Sequence, residues 1–246
     1  MAGVPGTCRK LFDTPQHSGS AWCIHCFRVS LRDWDGVDSW DQPFKVECYR
    51  DAHMSRRCAR CNTARGKCEL LYEGIRGHGY EFHAAVAWVL RFWENDEGTF
   101  GMTETAALHL DPEDIQKIAV AIRDLGAGLD SLIKAHASEH GITKRSASAQ
   151  SKKEYQQYCA SRTRLMAVPT SLPALSGSAS HPLSVIFAQK ATTYLRQDIH
   201  TDYGLPWYVS LMAFRNSILS MAPDFESVTV NMSQLTNDWP LQIELV

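Results

Sequence analysis

Cys23-Ile24-His25-Cys26, then Cys48, then Cys58-Ala59-Arg60-Cys61-Asn62-Thr63-Ala64-Arg65-Gly66-Lys67-Cys68: these stretches decide how the chain is read. Six of the eight cysteines fall between residues 23 and 68. A Cys-x-x-Cys turn sets two sulfurs on one side of a tight loop, at a separation that suits one tetrahedral metal ion. Two such turns can complete a zinc site with Zn–S distances near ~2.3 Å. Cys8 and Cys159 lie far from these groups in sequence and read as plain thiols.

Two coordination schemes fit the spacing. In one, Cys23, Cys26, Cys58 and Cys61 form a single ribbon-like site and Cys48 and Cys68 are spare. In the other, Cys23, Cys26, Cys48, Cys58, Cys61 and Cys68 together bind two ions. His25 and His53 are substitute ligands in either, since imidazole also suits zinc. A redox role is the weaker reading, because neither pair sits between a clear strand and a clear helix. A site closed by four thiolates has no open position for water, so Zn2+ here is expected to be structural, as one or two ions.

The segment Cys58-x2-Cys61-x6-Cys68 resembles one half of the fungal binuclear zinc cluster, the DNA-binding module of many fungal transcription factors. That resemblance covers residues 23 to 68. It implies two zinc ions held by six cysteines, with two thiolates bridging, and a short helix that places basic side chains in the major groove. The first half departs from the family pattern. Cys23-x2-Cys26 is followed by 21 residues before Cys48. Where the family has a basic run, this chain has Phe27-Arg28-Val29-Ser30-Leu31-Arg32-Asp33, with two arginines. The resemblance favours the six-cysteine scheme, and it supports metal binding more directly than DNA binding.

The chain has 246 residues, a formal net charge of -2 and 44% apolar residues, enough for a packed core. It is not basic overall, so any contact with nucleic acid requires a local patch. One is present around the second half of the cysteine region: Arg56, Arg57, Arg60, Arg65 and Lys67, flanked by Lys45 and Arg50. Phosphate contacts from such a patch are independent of sequence and fade with salt. The same charges also suit a solvated face that offsets thiolate charge, and both readings stand.

The first ten residues have no apolar run behind their basic residues, so no secretory signal is expected. No stretch approaches ~20 apolar residues, so no membrane span is expected. The expected location is intracellular, where metal ligation outcompetes disulfide formation. Lys144-Arg145 and Lys152-Lys153 make the nucleus a candidate compartment.

The expected fold class is mainly α. Composition divides the chain into a cysteine-rich zinc-binding module over 1–75, a helical region over 76–142, a partly flexible linker over 143–182 and a helical C-terminal region over 183–246. In the module, Trp22, Trp34 and Trp40 can shield a small metal-centred core. Phe82, Val86, Val89, Leu90 and Trp93 recur at helical spacing and predict a helix over 79–93. Asp111-Pro112-Glu113-Asp114 is a helix start and Gly141 a helix stop. Further helices are predicted over 153–166, 183–200 and 206–221, a loop over 168–182, and short strands at 228–230 and 243–245.

Between Pro112 and His140, Ile115, Ile118, Ile122, Leu125, Leu129 and Leu132 step by three and four. That stripe suits a dimerising coiled coil or a helical protein partner, or else a helix that packs on its own core. Gly126 and Gly128 each cost an isolated helix about 1 kcal/mol relative to Ala.

No phosphate-binding Gly-rich loop and no catalytic signature is present, so no enzymatic activity is expected. His78 and His83 read as structural or surface residues, and Asp198, His200 and Asp202 as polar groups at a helix end. The expected function is a zinc-stabilised, nucleic-acid-binding regulator, transcriptional in the fungal resemblance. The alternatives are a non-enzymatic protein-interaction module with a structural zinc site and, more remotely, a helical enzyme.

Overall fold

The structure, a computed structural model, describes residues 15–19, 21–34, 44–51, 57–89, 112–142, 148–165 and 204–221. In chain order these residues form β1 (Gln16–His17), α1 (Ile24–Asp33), β2 (Tyr49–Arg50), α2 (Ala59–Thr63), a 3-10 turn (Glu73–Ile75), α3 (Arg76–Val89), α4 (Pro112–Glu139), α5 (Ala149–Leu165) and α6 (Gly204–Met221). The fold is mainly α, as periodicity predicts. Its sheet, among the described residues, is the antiparallel pair β1–β2, with Gln16 opposite Arg50 and His17 opposite Tyr49.

α4 carries the longest pattern. Glu113 and Asp114 occupy its first turn, at the positive end of the helix dipole. Its stop is a left-handed turn at Gly141, φ +57. The Ile142 N–H reaches the Ala137 carbonyl at 3.0 Å and the Gly141 N–H reaches Ser138 at 3.2 Å. These two bonds satisfy carbonyls that the helix end would otherwise leave open.

All six residues of the α4 stripe, from Ile115 to Leu132, are at most 3% exposed. They share one apolar core with Trp207, Leu211, Phe214 and Ile218 of α6, with α3, and with Ile24 and Phe27 of α1. The stripe is therefore covered within one chain. Gly126 and Gly128 mark close approaches. A Cβ on Gly126 would lie 2.5 Å from Leu31 Cδ1 of α1, and one on Gly128 would lie 2.8 Å from Ser210 Oγ of α6.

α3 is the central helix. It is buried nearly all round, the mark of a helix inside a core rather than on its surface. Phe82 receives the edges or faces of Phe27 (centroids 5.4 Å apart) and Phe44 (6.1 Å), and Trp22 stacks on Phe27 at 4.9 Å. On the other side, the Trp207 indole N–H donates to Glu81 Oε2 at 2.7 Å. The aromatic residues of the cysteine region thus pack directly on the helical core. Trp22 is buried and Trp34 half-buried, with the Arg123 guanidinium 5.8 Å above its ring.

α5 begins at Ala149, four residues earlier than periodicity predicts, because Ser148 Oγ accepts the Ser151 N–H at 3.0 Å and caps it. It docks through one compact cluster. Tyr155 Oη accepts the Gly74 N–H at 2.8 Å and lies 3.0 Å from His136 Nε2. The Tyr158 ring packs against His140, centroids 4.2 Å apart. Gly74 permits this closure: a Cβ there would meet His136 Cε1 at 2.9 Å and Tyr158 Cε1 at 3.0 Å.

Several expected features lie outside the described residues: the Asp111 cap, the extension of α3 beyond Val89, Trp40, His53, Arg56, Lys144, Arg145, the loop over 168–182, the helix over 183–200 and the strands at 228–230 and 243–245. Among the described residues, no helix is long and apolar enough to cross a membrane.

Gly74→Ala should lower stability by about 1–3 kcal/mol, as overpacking does. It should also speed amide exchange across Ala149–Leu165 before the rest of the molecule. Uniform acceleration along the chain would show that the cluster does not hold α5 as a local unit. On α3, burial and then the charge of His17 push His83 down to about 4 from its ordinary 6.5. Because the folded value is the lower one, this contribution is complete above ~6.5 and is lost as pH falls through ~4. Its size, discounted for partial exposure, is about 2 kcal/mol. In denaturant titrations at these two pH values, His83→Gln should lose less stability on acidification than the parent. Equal losses would remove His83 as a source of acid sensitivity.

Candidate metal centre

Cys23 and Cys58 occupy equivalent local positions. Each has extended backbone and precedes a helix as its N-cap: Cys23 opens α1 and Cys58 opens α2. Each sulfur accepts the N–H of the cysteine three residues on. Cys26 N lies 3.3 Å from Cys23 Sγ, and Cys61 N lies 3.5 Å from Cys58 Sγ. A side-chain oxygen commonly fills this capping role; here sulfur does, and the Cys-x-x-Cys spacing is the spacing of a cap and the third helical residue. The equivalence continues to the third cysteine. The Cys58 N–H donates to Cys68 Sγ at 3.4 Å, and Cys48 joins Cys23 and Cys26 in one group of sulfurs as Cys68 joins Cys58 and Cys61 in another. The module is two copies of one unit, Cys23–Cys26–Cys48 and Cys58–Cys61–Cys68.

The long gap before Cys48 is closed by tertiary contacts. The β1–β2 pair returns the chain to its starting point. The Ser18 N–H donates to the Cys48 carbonyl at 2.8 Å, and Ser18 Oγ lies 3.6 Å from Cys48 Sγ. Ser30 Oγ on α1 accepts the Glu47 N–H at 2.8 Å. The second unit is joined to the first through the Ile24 N–H, which donates to the Glu69 carbonyl at 2.8 Å.

The six sulfurs form two overlapping groups of four, each with all members within 4.8 Å: Cys23, Cys26, Cys48 and Cys58; and Cys23, Cys58, Cys61 and Cys68. Cys23 and Cys58 belong to both. The ribbon-like alternative needs Cys26 and Cys61 in one group, and they fall in different ones. Sulfur separations are 3.8 Å for Cys23–Cys58, 3.7 Å for Cys23–Cys61 and 3.5 Å for Cys26–Cys58. A tetrahedron with metal–sulfur bonds of ~2.3 Å has edges of ~3.8 Å, close to these three separations, so the cluster could hold a metal ion. None of the described cysteines is in a disulfide. Cys23, Cys26, Cys48, Cys58 and Cys61 have no exposed surface, and Cys68 is half-buried.

The electrostatics are those of a site that lacks room for six anions without a cation. Hydrogen bonds from Cys23 and then Cys26 push Cys58 down to about 2 and Cys48 well below the thiol range. Burial first, and then the sulfur of Cys58, push Cys61 up to about 12. Cys23 is pushed far up, first by Cys26 and then by Cys48 and Cys58. For Cys26 the Cys23 contact lowers the value, but Cys48, Cys58 and burial together raise it. Sulfurs this close cannot all ionise on their own, and a bound cation is what would let them. Arg50 adds a fixed positive charge. It is 2% exposed, and its Nη2 lies 3.6 Å from Cys68 Sγ. Its Nε has no hydrogen-bond partner among the described residues. A buried guanidinium favours a nearby anion, whereas its place in the sequence groups Arg50 with the surface charges. No sequence signal separates it from them.

Of the substitute ligands, His25 is exposed and belongs to neither group. Of the patch residues, Arg57, Arg60, Arg65 and Lys67 are exposed on and around α2. Arg65 has left-handed backbone, φ +50, where the chain turns from α2 toward Cys68. Lys67 pairs with Glu69, and Lys45 pairs with Glu47 at 3.2 Å. One face of α1 is packed on α4, where Arg28 Nε donates to Asp130 Oδ1 at 2.6 Å and Leu31 sits against Gly126, while His25, Arg32 and Asp33 are exposed.

No protein family, no curated protein and no solved structure matches this chain.

Because two cysteines are shared, single substitutions should differ in kind. Cys23→Ser or Cys58→Ser should strip metal from both groups, whereas Cys26→Ser or Cys68→Ser should strip it from one. Elemental analysis of the purified variants, with a thiol count before and after chelation, reads this directly. Equal loss in all four variants would show that the groups do not share ligands.

Proposed function

We propose that this chain is a zinc-stabilised regulator that contacts nucleic acid through the α2 side of its cysteine module. The observation that carries the reading is the pair of overlapping four-cysteine groups with Cys23 and Cys58 in common. Two divalent ions and six thiolates sum to a charge of -2, which Arg50 partly offsets from within. Soft thiolate sets select zinc among the divalent ions available in a reducing compartment. Zinc bound there supplies structure, since no coordination position is left for water. Two sulfurs common to two groups of four support a reading in line with the resemblance to the fungal binuclear cluster.

The surface used differs from that resemblance. The helix after the first cysteine pair is α1, and it is spent on packing against α4. Arg57, Arg60, Arg65 and Lys67 are exposed around the second pair, whereas α1 exposes Arg32, which is paired with Asp33. They suit phosphate contacts in a transcriptional or other nucleic-acid-bound setting, with nuclear location following from that role.

A second reading, a protein-interaction module with a structural zinc site, is favoured by the Lys67–Glu69 and Lys45–Glu47 pairs, which neutralise part of the face.

Gel retardation of duplex DNA by the metal-loaded chain separates the two. Four phosphate contacts give a log–log salt slope of roughly -3.6, a loss on the order of 100-fold between ~50 and ~200 mM salt. Arg57→Ala with Arg60→Ala should reduce the slope by about 2 while leaving metal content unchanged. Absence of binding to duplex DNA at ~50 mM salt would remove the nucleic-acid reading and leave the interaction module.

A further inference from the structure

The two four-cysteine groups differ in their access to solvent. The inner group, Cys23, Cys26, Cys48 and Cys58, consists of residues with no exposed surface. The outer group exchanges Cys26 and Cys48 for Cys61 and Cys68, and Cys68 is half-buried. Both third cysteines are tied at sulfur, Cys68 by the Cys58 N–H and Arg50 Nη2, but the chain that leads to them differs in exposure. Cys48 is held by Ser18, by the β1–β2 pair and by the Ser30 bond to Glu47. Cys68 ends the loop that follows α2, a helix of five residues. In that loop Ala64, Arg65 and Lys67 are exposed, and the space beside Gly66 is open to 4 Å.

Resting on the zinc reading above, we propose that Cys68 is the point at which peroxides and soft electrophiles enter the cluster, so that the outer metal position is the exchangeable one and the inner position the one that holds the fold. The chemistry with a peroxide balances within the outer group. The Cys68 thiolate attacks one peroxide oxygen; an S–O bond forms, the O–O bond breaks, and hydroxide leaves. The sulfur is oxidised by two electrons to the sulfenic acid. Cys61, whose sulfur lies within 4.8 Å of Cys68 Sγ, then attacks that sulfur; an S–S bond forms and a second hydroxide leaves. Two ligands of the outer position are consumed, and the inner set of four is untouched. Of the exposed charges of α2 and its loop, Arg65 and Lys67 lie between the consumed ligands and Arg60 directly precedes Cys61. Their arrangement, and any phosphate contact they make, is therefore tied to the redox state of Cys68. With an alkylating agent, carbon takes the place of the peroxide oxygen and halide is the leaving group.

The experiment uses the full chain loaded with zinc. It is treated for increasing times with iodoacetamide and, in parallel, with hydrogen peroxide; peptide mass spectrometry locates the modification and a chromophoric chelator follows zinc release. Cys68 should be modified roughly tenfold or more faster than the five buried cysteines of the cluster, as reactivity follows exposure. One zinc should leave while helical circular dichroism is retained. In Cys68→Ser the fast phase of release should be absent, and the remaining zinc should leave with the slow phase of the parent. Two zincs present but released together, or any buried cysteine modified as fast as Cys68, would overturn the inference and leave the zinc reading standing. A chain that carries no zinc when purified under reducing conditions would overturn both.

Discussion

Six sulfurs confined to one buried volume set the terms for the first third of the molecule. As thiols they are poor hydrogen-bonding partners, and as thiolates they repel one another; a cation at the centre resolves both problems at once. The surrounding architecture is arranged for that outcome. Two helices begin at the cluster and direct their N-terminal amides at sulfur, through Cys26 and Cys61. A further amide, from Cys58, points at Cys68. Arg50 is buried against Cys68 although nothing apolar is gained by placing a guanidinium there.

The cluster does not stand apart from the helices. α1 leaves it with Cys26 on one face and Phe27 on another, and Phe27 lies between Trp22 and Phe82 of α3. α4 receives the same helix at Gly126 and Asp130. A change at the cluster would therefore be felt beyond the cysteine-rich segment, through α1. α5 is tied on differently, by two histidines, two tyrosines and an amide of the 3-10 turn. A polar helix held by one aromatic cluster is the kind of element that opens locally before the core does.

Much of this was legible residue by residue. The Cys-x-x-Cys pairs announced a metal-sized turn. Pro112 and Gly141 bracketed α4, and the α4 stripe announced a buried face. These signals are local: a cap, a stop and a helical repeat are set within a few residues of chain. Other features had no local signal. The gap between Cys26 and Cys48 has no period, so the equivalence of Cys48 with Cys68 could not be read from spacing. The stripe on α4 looked the same whether a second chain or α3 and α6 covered it. Gly126 and Gly128 looked like weak points of a helix, whereas they are where α1 and α6 come close enough to touch its backbone.

The sequence by itself determined that six cysteines, grouped by cap-and-third-residue spacing, would act together, and that helices would dominate the remainder. Both follow from short-range backbone geometry and from hydrophobic repeat. Only the tertiary structure decided how the sulfurs divide, with Cys23 and Cys58 common to two groups and Cys68 left nearest to solvent. It alone decided that α1 is packed inward, that the basic residues around α2 face outward, and that the α4 stripe is covered from within. Those outcomes depend on contacts between residues tens of positions apart, such as Ser18 with Cys48, Ile24 with Glu69 and Arg28 with Asp130. Periodicity along the chain carries no information about such pairings.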